Sequence, residues 1–147
     1  HQRQPTPERP ERFVSTPDAV LVIDGFAGDP RLYDLNGDGR IDLSLAALRP
    51  DLLQALTQGS LDRYELEQYI YLNEGGKLSR RPVLAERLSF RSEDSLPTLE
   101  FVRDRSGDKV SDLLWRPEAG KLRLSMVATR GERWSLNPTP LFELGID

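Results

Sequence analysis

Between Asp34 and Asp42 the chain reads DLNGDGRID, which sets oxygen-bearing side chains at Asp34, Asn36, Asp38 and Asp42 around Gly37 and Gly39. Alternate positions of a tightly coiled loop point inward, so this frame can gather oxygens around a hard cation while glycine supplies the sharp turn. The frame returns 70 residues later as DRSGDKVSD, with Asp104, Ser106, Asp108 and Asp112. A chemical frame repeated once per supersecondary unit constrains the fold more than either copy alone, because it asks for two units of one architecture.

Outside the loops the hydrophobic period is that of β-structure. Ala19 to Ile23 is an aliphatic, partly β-branched run and predicts a buried strand. Leu43, Leu45 and Ala47 alternate with smaller residues, as a strand leaving the first loop would. Tyr64, Leu66, Ile70 and Leu72 share one face of a longer strand with Glu65 and Glu67 on the other. Asn73 to Gly76 predicts a turn, and Pro82 to Phe90 and Leu96 to Val102 two further strands. Leu113 to Trp115 leaves the second loop and Pro117 to Gly120 turns. Leu122, Leu124 and Met126 alternate up to a turn at Gly131, and Trp134 to Leu144 predicts an edge strand broken by Pro138 and Pro140. Asp51 to Gln58 differs, with Leu52, Leu53 and Leu56 on one helical face between a capping Asp51 and Gly59, and predicts a short helix inserted in a loop. His1 to Pro17 carries four prolines among polar residues and predicts an extended tether.

Composition narrows the function classes. No apolar run approaches the ~20 residues of a membrane-spanning helix, so no membrane insertion is expected. A net charge of −4 with scattered Lys and Arg disfavours nucleic acid. Cysteine is absent, which removes disulfide frames, thiolate catalysis and zinc ribbons. The single histidine, His1, sits in the proline-rich segment, so a Ser-His-Asp or Cys-His arrangement has no base. Four oxygens converging on one loop suit ligation better than the facing carboxylates of glycoside hydrolysis. No enzymatic activity is therefore expected. A helix-loop-helix calcium hand or a dockerin-like loop opens in a similar way, but its twelfth position needs a carboxylate, and Leu45 and Trp115 stand there. The remaining alternative for each loop is an ordinary Asx-rich turn. Trp115, Trp134, Tyr69 and Tyr71 offer either a partner-binding face or cross-strand packing, and packing is the commoner role of strand aromatics.

The loop DLNGDGRID, the strand LSLAAL that follows it and the hairpin segment YIYLNEGGKLS resemble the FG-GAP or VCBS-type repeats of integrin-like β-propellers. DRSGDKVSD followed by DLLW resembles a second copy. The resemblance implies an all-β fold of two β-propeller-type blades of short antiparallel strands, with calcium loops and one short helical insertion. It divides the chain into a flexible segment 1–18, a first repeat 19–95 and a second repeat 96–147. It also implies calcium held by Asp34, Asn36, Asp38, the Arg40 carbonyl and Asp42, and by Asp104, Ser106, Asp108, the Val110 carbonyl and Asp112. The second loop should bind more weakly, since Ser106 replaces an amide oxygen and Lys109 stands where glycine would allow positive φ. The expected role is a non-catalytic, calcium-stabilised scaffold for protein or glycan recognition in an extracellular, periplasmic or cell-surface setting. A start at His1 without an apolar signal segment fits a mature secreted product or part of a longer protein. Two blades cannot close a ring, so self-association or a companion chain supplying further blades is expected. The competing roles are a segment of a larger carbohydrate-active enzyme and a dockerin-like anchoring module.

Overall fold

The computed structural model describes residues 20–59, 62–91, 99–118 and 120–145, and only the backbone of Pro50, Leu53, Gln54 and Leu56. The expected tether 1–18 lies outside the described residues. The fold is all-β, built of small antiparallel sheets, none of them closed.

In the first sheet, β1 (Phe26–Ala27) and β2 (Arg31–Tyr33) pair with one edge of β3 (Asp42–Leu48). A short helix, α1 (Pro50–Thr57), lies in the connection to β4 (Arg63–Tyr71). Among the described residues no helix is long and apolar enough to cross a membrane. Strand β4 pairs with β3 through Leu43 opposite Tyr71. A small hairpin, β5 (Asn73–Glu74) and β6 (Lys77–Leu78), then interrupts the path before β7 (Leu84–Arg91) pairs with β4 through Ile70 opposite Leu84.

The second sheet follows the same route. It runs from β8 (Leu99–Val102) to β9 (Asp112–Glu118) and β10 (Lys121–Ser125), leaves for the hairpin β11 (Val127–Arg130) and β12 (Arg133–Leu136), and ends in β13 (Phe142–Gly145). The two excursions close alike. Ser79 N–H donates to Leu72 O at 2.8 Å and Asn137 N–H to Met126 O at 2.9 Å. The chain rejoins its sheet through Val83 N–H to Ile70 O at 2.8 Å and Leu141 N–H to Leu124 O at 2.7 Å.

Two expectations are corrected. Residues 20–23 form no strand, and Val20 and Val22 are 73% and 87% exposed. β-Propensity needs a ladder partner to be realised, and the free edge at the end of β3 is taken by Phe26 and Ala27, opposite Leu48 and Ala47. The turn expected from Pro117 begins later, because β9 continues to Glu118. Among the described residues the pairing of β8 with β9 runs no further than Trp115, two residues short of Pro117, whose missing N–H suits a position beyond the ladder. The register of β9 with β10 shifts at the same place.

Alternation along β4 turns Tyr64, Leu66, Gln68 and Ile70 to one face, against the second sheet. One core cluster joins Leu35, Ile70 and Leu84 to Val110, Val127 and Trp134. The other joins Tyr64, Leu88 and Phe90 to Leu113. The first cluster joins the first sheet to the second loop and the β11–β12 hairpin, with Phe101 of β8 packed against it, and the second joins the two large sheets, with roughly 1.5–3 kcal/mol gained per fully buried large side chain. Polar contacts join these parts as well. Trp134 N–H donates to Val83 O at 2.8 Å, and Arg31 reaches Glu100 at 3.5 Å.

Candidate metal centre

Both acidic frames occupy the same place, between the outer strand and the second strand of their sheets. Their backbones coil alike: Gly37 and Gly39 lie at φ of 71° and 81°, and Gly107 and Lys109 at 88° and 72°. Among the described residues Lys109 is the one non-glycine in this left-handed region, at the position where the sequence places lysine in register with Gly39.

In the first loop Asp34 organises the coil. Its Oδ1 accepts from Asp38 N–H at 3.1 Å and its Oδ2 from Gly39 N–H at 3.0 Å. Asn36 Oδ1 also accepts from Asp38 N–H, and Asn36 Nδ2 donates to Asp38 Oδ2. Asp38 is engaged twice by Arg40, whose backbone N–H donates to Oδ1 and whose guanidinium donates to Oδ2, both at 2.8 Å. The Arg40 backbone N–H, and then its guanidinium, hold the Asp38 carboxyl below the usual carboxylate range. Asp42 is wholly buried, and its two oxygens accept from Leu35 N–H at 2.9 Å and Asn73 N–H at 2.8 Å. Burial pushes its pKa up, and those two N–H groups partly offset the rise.

The second loop repeats this scheme with one difference. Asp104 accepts from Gly107 N–H at 2.6 Å, Lys109 N–H at 2.8 Å and Ser106 Oγ at 3.2 Å. These bonds, the Gly107 N–H foremost, lower its pKa. Asp108 Oδ1 accepts from Val110 N–H, as Asp38 does from Arg40. Asp112 is wholly buried, and its Oδ2 accepts from Arg105 and Ser106 N–H at 2.6 and 3.0 Å. Among the described residues its Oδ1 has no hydrogen-bond partner, where the matching oxygen of Asp42 is satisfied by Asn73.

The structure also brings the two loops together, which the sequence reading did not anticipate. Ser111 N–H donates to Leu35 O at 2.8 Å, and a Cβ on Gly37 would lie 3.4 Å from Lys109 O. Leu35 and Val110 are buried in one core cluster although they hold different positions in the frame. The available signal was the aliphatic content of each frame, Leu35 and Ile41 in the first and Val110 in the second, which did not say that Leu35 rather than Ile41 would be buried. Val110, considered above for its carbonyl, thus also anchors its loop with a side chain 6% exposed.

Among the described residues, no three His, Cys, Asp or Glu side chains are grouped so as to hold a metal ion. The frame carboxylates of the first loop are turned instead to N–H groups of the loop and of Asn73. The aromatic candidates are packing residues: Trp134 and Tyr71 are buried, and Trp115 meets Phe90 edge to face at 5.6 Å while its Nε1–H donates to Ser125 Oγ. Tyr69 donates to Glu67 on the far face of the first sheet. Compared with known proteins, the chain matches no family model and no curated protein.

Proposed function

We propose that the chain is a non-catalytic scaffold of two propeller-type blades, 19–95 and 96–147, braced by calcium and presenting its loops to a protein or glycan partner. The observation that carries the calcium reading is the buried, unpartnered Asp112 Oδ1. A buried polar atom left unpaired costs about 1–3 kcal/mol, and the side-chain donors of its frame, Asp104, Ser106 and Asp108, are oxygens as well. Such a set suits a hard divalent cation.

When bound, calcium would neutralise the frame carboxylates and hold the turn. Asp104, Ser106, Asp108, the Val110 carbonyl and Asp112 would hold it in the second loop. Asp34, Asn36, Asp38, the Arg40 carbonyl and Asp42 would do so in the first, once the Arg40 guanidinium has left Asp38. That competition, set against the orphaned oxygen of Asp112, makes the second loop the tighter site, the reverse of the order expected from ligand identity. Calcium near millimolar outside cells fills even modest sites, which favours an extracellular, periplasmic or cell-surface setting. The like routes of the two sheets support the blade reading, and self-association or a companion chain would supply the remaining blades of a ring of about four to eight.

Calorimetric titration of the metal-free protein with calcium tests this reading. Two unequal sites are expected, with the tighter lost in Asp112→Asn and the weaker in Asp38→Ala. At about 100 times its Kd, calcium should add about 2.7 kcal/mol of stability. Absence of heat at millimolar calcium, or an Asp112→Asn titration matching the native one, would overturn it.

A further inference from the structure

Where the hairpin of β11 and β12 crosses the start of β7 it leaves an open groove of about 540 Å³. Pro82, Val83, Ala85 and Trp134 line it together with Arg130 and Arg133, and it has no acidic lining. An adjoining recess shares Pro82, Val83, Arg133 and Trp134 and adds Arg81, Glu74 and Glu132, so Arg133 stands between the two cavities while Arg130 lines the first alone.

Three observations single this groove out. Arg130 and Arg133 stand directly opposite each other across the two-residue turn at Gly131 and Glu132. Like charges so placed destabilise a hairpin. Among the described residues neither guanidinium forms an ion pair with a carboxylate. The walls are also fixed. Trp134 N–H is bonded to Val83 O, Val83 N–H to Ile70 O, and Ser79 Oγ ties Leu72 N–H to the Arg81 carbonyl. A like-charge pair beside an apolar floor whose backbone is tied in place is complementary to an anion.

We propose that this groove binds an acidic peptide segment, with carboxylates on the Arg130 and Arg133 forks and an apolar side chain on the floor of Pro82, Val83 and Ala85. The floor favours a peptide over an acidic glycan, because Trp134 is 8% exposed and offers no open ring face on which a sugar could stack. The inference gives the partner in the scaffold reading a chemical class, yet it stands on residues apart from both acidic loops.

Fluorescence anisotropy of the whole protein tests it with a labelled peptide alternating glutamate and leucine, measured at low salt in calcium-free buffer and again with calcium. The double variant Arg130→Gln/Arg133→Gln should bind about tenfold more weakly or worse. Its thermal midpoint should be unchanged or higher, because the like-charge pair is gone. Arg87→Gln, whose guanidinium pairs with Glu67 away from the groove, should bind as the native protein does. Binding in both buffers supports the groove independently of the calcium reading, and binding that requires calcium overturns that independence. The proposal fails if the native protein does not bind, if the double variant binds equally, or if a control peptide alternating lysine and leucine binds as well. Displacement of the peptide by oligogalacturonate at equal or lower concentration would assign the groove to acidic glycans and overturn it too.

Discussion

At the scale of single residues, the acidic frame has two kinds of position. Asp34 and Asp104 organise the coil through N–H groups within their own loops, whereas Asp42 and Asp112 are buried at the head of the second strand. The same side-chain type therefore serves as a surface turn former and as an interior acceptor, and spacing alone does not separate the two. The substitution that distinguishes the loops most sharply in backbone terms is Lys109 at φ 72°, matched by Gly39 at 81°. An L-residue there loses roughly 1–2 kcal/mol to the contact of Cβ with the following carbonyl. A Cβ-less residue escapes it, although its greater freedom in the unfolded chain returns part of the gain. Lys109→Gly should therefore stabilise the metal-free protein by about 0.5–1 kcal/mol in urea denaturation, with an unchanged m-value. A loss of stability would mean that the lysine side chain contributes more than its backbone costs.

At the scale of elements, strands with a clean period of two were legible because one face of each is buried. Strand β4 turns Tyr64, Gln68 and Ile70 inward, and β7 answers with Leu84, Leu88 and Phe90. Where the signal was only a β-branched run, at Val20 and Val22, the expected strand was not found, because ladder pairing is decided by neighbours distant in sequence. The turn at Gly131 was legible, but the docking of the β11 and β12 hairpin on Val83 and the meeting of the two loops were not, for the same reason: both depend on Val83, Leu35 and Ser111 finding partners far along the chain. The outer face of β4 carries its own titration. Glu67 lies opposite Arg87 and accepts from Tyr69, and burial followed by this hydrogen bond pushes Tyr69 up to about 12. The unfolded chain releases that proton near 10.0, so between 10.0 and about 12 the folded state holds more protons and stability falls as pH rises. Tyr69→Phe should flatten this alkaline decline, measured as urea midpoints across the window. An unchanged slope would show that Tyr69 is not its source.

At the scale of the whole molecule, the shared core uses one face of each large sheet, and among the described residues no strand pairs with the outer edge of β13. That strand is exposed along its length, and Leu141, Phe142 and Leu144 are 45%, 44% and 51% exposed. Neither proline nor lysine guards the strand itself, the usual devices by which an edge resists pairing; Pro138 and Pro140 precede it. An unpaired ladder edge beside contiguous apolar side chains gains both hydrogen bonds and buried area on meeting a second sheet. The first sheet is better covered, since Leu43, Leu45, Ala47 and Tyr71 are buried on its far face. Association should therefore start at β13 rather than at β2. Sedimentation velocity over a hundredfold concentration range should reveal reversible self-association, weakened at least about tenfold by Phe142→Lys/Leu144→Lys and left intact by Leu32→Lys on the opposite side of the molecule's strand order. A native protein that stays monomeric at every concentration, or an association indifferent to both β13 substitutions, would exclude this edge as the contact.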